Sequence, residues 1–255
     1  MIPLSGGILP RRLCWFSCGA ASAVATKITV SEDSSSPSVI VYTKIKEEHS
    51  DNQRFIEACR AWFSQDITIV SNEKYHGSIY EVFTRERYLV GPAGAPCTKR
   101  LKRQVREQFS QKNDVHILGY TSEESDRAET FQDNNPDLVC RFPLIERQLT
   151  KSDCLAMIRD AGIALPAMYL LGYEHNNCIG CCKGGMGYWN KIRIDFPDVF
   201  ARMAATEREI GATIIRSNGE PLYLDELDPS AGRGQREPHI ECGVFCEQAK
   251  QEYGG

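Results

Sequence analysis

No stretch of this 255-residue sequence is apolar over enough residues to cross a bilayer as a helix, so no membrane-embedded role is expected. Neither charge is in excess. Thirty Lys and Arg stand against 34 Asp and Glu, a net charge of -4 that gives no global reason for a nucleic-acid partner. Histidine is scarce, and His76, His175 and His239 lie in polar stretches without metal-ligand spacing. The N-terminal stretch has Arg11-Arg12 after a short apolar start. It lacks the long apolar segment and small-residue cleavage site of a signal peptide, and a cytoplasmic location is expected. There are no internal repeats. What the sequence has in abundance is cysteine. Eleven of them, an odd count without a secretory signal, argue against a disulfide framework and for metal binding or thiol chemistry.

Short apolar runs alternate with helical patterns. Strands are predicted at residues 13–16, 39–42, 67–70 and 115–120. Helices are predicted at 23–30, at 51–65 and, with a basic face, at 98–108. This alternation predicts an α/β fold, a parallel twisted sheet with helices on both faces. Beyond Thr150 the pattern changes to a helix stopped by Gly162, a Cys/Gly-rich loop at 176–187, a helix at 199–210 and a Ser217-Asn218-Gly219 turn. The expected organisation is an N-terminal extension (1–12), a nucleotide-binding domain (13–175) and a Cys-bearing C-terminal segment (176–255).

The first predicted strand runs into Ser17-Cys18-Gly19-Ala20-Ala21-Ser22, and a helix follows. Small residues between a strand and a helix N-terminus suit an anion, because backbone N–H groups point outward and no bulk blocks the approach. Ser5-Gly6-Gly7 looks similar, but Pro10 follows where a helix should begin.

The segment Phe16-Ser17-Cys18-Gly19-Ala20-Ala21-Ser22-Ala23-Val24 resembles the modified PP-loop of PAPS and APS reductases, within the adenine nucleotide α-hydrolase superfamily. ATP-cleaving relatives carry SGGxDS there; this chain has Cys18 at the second position and Ala21 in place of the Asp. Without that carboxylate a ligand for Mg²⁺ on a triphosphate is gone, which favours a sulfonucleotide over ATP cleavage. Gly119-Tyr120-Thr121-Ser122-Glu123-Glu124-Ser125-Asp126-Arg127 resembles the family's glycine–(x)–E–E–S–x–x–R segment. The resemblance implies nucleotide contacts from Ser17, Cys18, Gly19, Ala20, Ser22, Glu124 and Arg127. Lys99 and Lys102, in a basic run, are further candidates for phosphate or sulfate.

Cys178-Ile179-Gly180-Cys181 is a C-x-x-C whose thiolates can reach one metal, although redox dithiols share the spacing. Cys97-Thr98-Lys99-Arg100-Leu101-Lys102 resembles the cysteine–basic segment of APS reductases, which supplies cluster ligands alongside a distant C-x-x-C. The resemblance implies a four-iron, four-sulfur cluster, with zinc as the alternative. Pro96 stands where a second adjacent cysteine would, so a fourth ligand comes from elsewhere, with Cys182, Cys242 and Cys246 as candidates, or is non-protein. Glu241-Cys242-Gly243 resembles the E-C-G motif of the family's nucleophilic cysteine, which leaves Cys246 as the preferred ligand; the two tail roles are interchangeable at this level. Cys14, Cys59, Cys140 and Cys154 fit apolar patterns and are expected to be packed. Residues 183–191, rich in Gly, cations and aromatics, suit either a flap over a nucleotide or a collar around the C-x-x-C.

The expected activity is that of a sulfonucleotide reductase with Cys242 as nucleophile, an adenine nucleotide substrate, a thioredoxin-like thiol donor and, as one allowed assembly, a homodimer. Two alternatives remain. One is an ATP-dependent PP-loop sulfurtransferase acting on a nucleobase or DNA; the other is a non-catalytic, metal-stabilised nucleotide-binding protein.

Overall fold

A computed structural model of the protein describes residues 9–32, 35–91 and 94–233. In chain order its elements are β1 (Arg12–Trp15), α1 (Ala20–Ser31), β2 (Ser38–Thr43), α2 (Asn52–Phe63), β3 (Ile67–Val70), α3 (Ile79–Glu86), α4 (Gln104–Phe109), β4 (Val115–Ile117) and α5 (Ser125–Asn134). There follow β5 (Val139–Arg141), α6 (Pro143–Glu146), α7 (Lys151–Asp160), α8 (Ala167–Leu170), α9 (Met186–Asp195), α10 (Pro197–Ile210), β6 (Ile215–Ser217) and β7 (Glu220–Leu222). None of the helices among the described residues is long and apolar enough to cross a membrane.

The chain groups into two compact units. One draws on the stretch up to Tyr42, on Gln53–Ile69 and on Phe109–Leu165; the second on Thr43–Asn52, Val70–Gln108 and the stretch from Pro166 onward.

The first unit holds a five-stranded parallel sheet in the order β3-β2-β1-β4-β5, flanked by helices in a Rossmann-like arrangement. Central β1 is buried along its whole length, as expected of a parallel strand covered on both faces. Inside it, the Trp15 indole N–H donates to Nδ1 of buried His116 on β4 (3.0 Å), so neither polar group is stranded in the core. The chain leaves β1 for β2 on one side, and β4 lies on the other. The carboxyl end of β1 is therefore the switch point at which open α/β sheets present ligands. Cys14, Cys59 and Cys154 are packed and inert, their thiols pushed up to about 12 by burial; Cys140 is half-buried.

The second unit packs α3, α9 and α10 around Phe83, Trp189, Ile192 and Met203, with the β6–β7 hairpin antiparallel beside them. Glu207 of α10 is fully buried. Its two carboxylate oxygens accept the Ile214 and Leu224 amides at 2.6 and 2.7 Å and so fasten the chain on either side of the hairpin. Burial lifts this carboxyl from 4.5 to about 7, against the pull of the two amides. A carboxyl raised in the folded state contributes stability that is full below its unfolded value and lost as pH rises through about 7. Stability to thermal unfolding should therefore fall between about pH 5 and 8, by up to about 3 kcal/mol. Glu207→Gln should flatten that slope while lowering stability at pH 5 by about 1–3 kcal/mol, since its NH₂ would face a backbone N–H. A slope unchanged in the variant would contradict this.

Four differences from the sequence reading have physical causes. Strand β5 is a three-residue strand without an apolar run, paired with β4, and helix α5 buries only Ala128 and Phe131, too few for a helical stripe. Helix α9 starts at Met186, inside the glycine-rich stretch expected to be loop. The basic helix begins as a π-helical segment, Thr98–Arg103, before continuing as α4.

Candidate nucleotide loop and thiol cavity

The loop after β1 is closed by serine. The Ser22 hydroxyl accepts from the Ser17 amide (3.1 Å) and the Ser17 hydroxyl (3.0 Å) and donates to the Gly19 carbonyl (3.0 Å). Gly19, at the N-cap of α1, makes no side-chain cap, and no acidic residue stands in the first turn. The positive end of a 12-residue helix is thus left without a carboxylate of its own, which favours an external anion. Cys18 takes the left-handed conformation (φ +62°) and is fully buried. That backbone explains why a glycine suits this position in similar loops. Cys18→Gly should keep the loop, whereas β-branched Cys18→Val should lose about 1–3 kcal/mol in thermal unfolding. Equal stability of the two variants would contradict the strain.

Gly119, just beyond β4, lies flush on the first turn of α1. A Cβ there would sit 2.8 Å from both the Ser22 nitrogen and Cα. This contact brings the segment 119–127 beside the loop. Within the segment Glu124 forms a capping box with Thr121 and pairs with Arg127, whose guanidinium also lies over the Tyr120 ring. Both residues are therefore held in place from one side, with the Arg127 side chain still more than a third exposed.

In the second unit, Cys97, Cys178, Cys181 and Cys182 line one cavity together with Ile45, Ile79, Phe83, Leu101 and Lys102. It holds about 300 Å³ of space not filled by atoms, its open side included. Cys97 heads the π-helical segment, where residues five apart stack, so Leu101 and Lys102 rise beside it. Lys102, expected on a phosphate, is buried against the thiols, while Lys99 on the same segment is exposed. The Cys182 thiol is hydrogen-bonded to both Cys97 and Cys181. That bond, aided by the Lys183 and Lys102 charges, holds Cys97 below the usual thiol range and Cys181 down to about 6 against the effect of burial. Cys182, the shared donor, is pushed well up.

The C-x-x-C loop is held from several directions. The Ile179 amide donates to the Glu47 carbonyl (2.9 Å), and the Glu47 carboxylate accepts from the Ser78 hydroxyl (2.6 Å) and the Ile79 amide (2.9 Å). Gly180 is left-handed (φ +75°), and a Cβ there would meet Val199 at 2.6 Å. The buried Tyr188 hydroxyl accepts the Gly180 and Cys181 amides, both at 3.0 Å, and donates to the Cys178 carbonyl at 3.4 Å. Gly184 lies against the Tyr188 ring, where a Cβ would come within 2.0 Å. Residues 183–191 therefore form a collar around the C-x-x-C. A second, small cavity behind the loop is lined by Met168, Tyr173, His175, Asn177 and Tyr188 together with Cys178 and Cys181.

An all-sulfur donor set with apolar walls suits a soft metal and not Mg²⁺ or Ca²⁺. Among the described residues no three His, Cys, Asp or Glu side chains stand ready as a single-ion site. Cys242 and Cys246 lie outside the described residues, which already bring Cys182 to the other three thiols. The sequence offered one signal for Cys182, its adjacency to Cys181, and one for Tyr188, its place in the Gly- and aromatic-rich stretch 183–191, but none for Glu47. No family model, curated protein or solved structure matches this chain.

Proposed function

We propose that this chain is a sulfonucleotide reductase-like enzyme of the adenine nucleotide α-hydrolase type, carrying an iron–sulfur cluster. The observation that carries the nucleotide half is the serine-closed loop at the carboxyl end of β1, opening an α-helix whose first turn bears no acid. An adenine nucleotide would place an anionic group on this helix terminus, with Arg127 as a further cation. A sulfonucleotide fits better than ATP because Ala21 supplies no carboxylate for a metal on the phosphates.

Cys97, Cys178, Cys181 and Cys182 would hold the cluster. When bound, it supplies a fixed electrostatic centre, which is the role the family resemblance implies. Lys102 balances thiolate charge beside it. Catalysis rests on Cys242. Its thiolate attacks the sulfo sulfur, a new S–S bond forms, and the S–O bond to the nucleotide phosphate breaks, expelling the nucleotide. A dithiol donor then attacks the Cys242 sulfur and releases sulfite. Its second thiol resolves the mixed disulfide, so the donor leaves oxidised and Cys242 returns as a thiol.

Incubation with PAPS or APS followed by intact-protein mass spectrometry should show a sulfo adduct absent from Cys242→Ser. No adduct with either nucleotide would overturn the reductase reading. Release of AMP or pyrophosphate from ATP would replace it with a sulfurtransferase.

A further inference from the structure

We infer that Tyr188 is the positioning residue of the C-x-x-C loop, and that its hydroxyl competes with the Cys178 sulfur for two backbone amides. The inference rests on the metal reading above. In a C-x-x-C turn, the amides of the third and fourth residues are the nearest backbone donors to the first thiolate. Here those are the N–H groups of Gly180 and Cys181, and both donate to the Tyr188 oxygen at 3.0 Å. The same hydroxyl returns its proton to the Cys178 carbonyl at 3.4 Å, so one buried group fastens three points of the turn. The ring is fixed in turn by Gly184 on one side and by the edges of Tyr173 and Trp189, at 5.9 and 5.7 Å between centroids. A phenol held this firmly fixes the turn that carries Cys178 and Cys181 and so would orient their thiols.

The electronic consequence follows from what hydrogen bonds do to thiolate sulfur. Amides donated to a ligand sulfur disperse its negative charge and stabilise the reduced cluster; amides shared with a competing acceptor do so less. Removing only the hydroxyl would strand two buried N–H groups, an expensive state that the adjacent Cys178 sulfur can relieve. Tyr188→Phe should therefore keep the loop and move the cluster potential to more positive values. Tyr173→Phe is the matched control. Its hydroxyl bonds Asp195 (2.9 Å), so its loss should leave the potential unshifted.

The test is a redox titration of anaerobically purified wild type, Tyr188→Phe and Tyr173→Phe, each first analysed for iron, sulfide and zinc. A positive shift confined to Tyr188→Phe supports the inference, as does cluster loss confined to that variant. An unshifted or more negative potential overturns it, and so does equal cluster loss in both variants. Zinc in place of iron in the wild type defeats the metal reading alone. The anchor is then read on the zinc protein by metal release to a chromogenic chelator, expected about tenfold faster in Tyr188→Phe and unchanged in Tyr173→Phe. Equal release from all three proteins overturns it.

Discussion

Cys182→Ser is expected to reduce iron and sulfide per chain at least tenfold after anaerobic purification, while Cys246→Ser leaves them near the wild-type level. The cause is placement. Cys182 lines the cavity with Cys97, Cys178 and Cys181 and is hydrogen-bonded to two of them, so four thiols share one apolar enclosure. A serine hydroxyl is harder than a thiolate and does not ionise near neutral pH, so it cannot replace the fourth sulfur. Cys59→Ala, at a packed thiol pushed up to about 12, should lose some stability and no iron. Iron retained in Cys182→Ser but lost in Cys246→Ser would return the fourth ligand to the tail.

The second large effect is expected at Gly119. A methyl there would sit 2.8 Å from the Ser22 nitrogen and 3.1 Å from the Ala21 carbonyl carbon, closer than packed atoms allow. These neighbours are helix backbone, so the first turn of α1 must move as a body. Gly119→Ala should cost about 1–3 kcal/mol in stability. It should also weaken nucleotide binding at least tenfold, because displaced amides no longer converge on the anion. Calorimetric titration with adenosine 3′,5′-bisphosphate, alongside thermal unfolding, separates the two effects. Unchanged affinity in a destabilised variant would move the nucleotide away from this loop.

Much of the sheet was legible because its strands are continuous apolar runs. Residues 67–70 form β3 as predicted, and residues 39–42 lie within β2. Strand β5 escaped because Val139–Arg141 is too short to stand out, although Cys140 was read as part of an apolar pattern. The loop was legible from its small residues, yet the left-handed Cys18 could not be read from a residue that normally avoids that conformation. Three of the four cavity thiols were visible through spacing or resemblance. The fourth, Cys182, was a named candidate set behind Cys246, because adjacent cysteines point apart in an extended chain and only the turn at Gly180 and the collar from α9 gather them. Lys102 was read as a cation for phosphate or sulfate, since nothing in its basic run announces a π-helical segment that folds it inward. Tyr188 was one aromatic among several; its role exists only once the chain brings it back over residues 178–181.

The most direct measurement is the visible spectrum and the iron and sulfide content of the anaerobically purified protein. The proposed centre predicts a brown protein with a broad charge-transfer band and iron and acid-labile sulfide in equal amounts, about four of each per chain. A colourless protein with one zinc per chain, or with no metal, would contradict it.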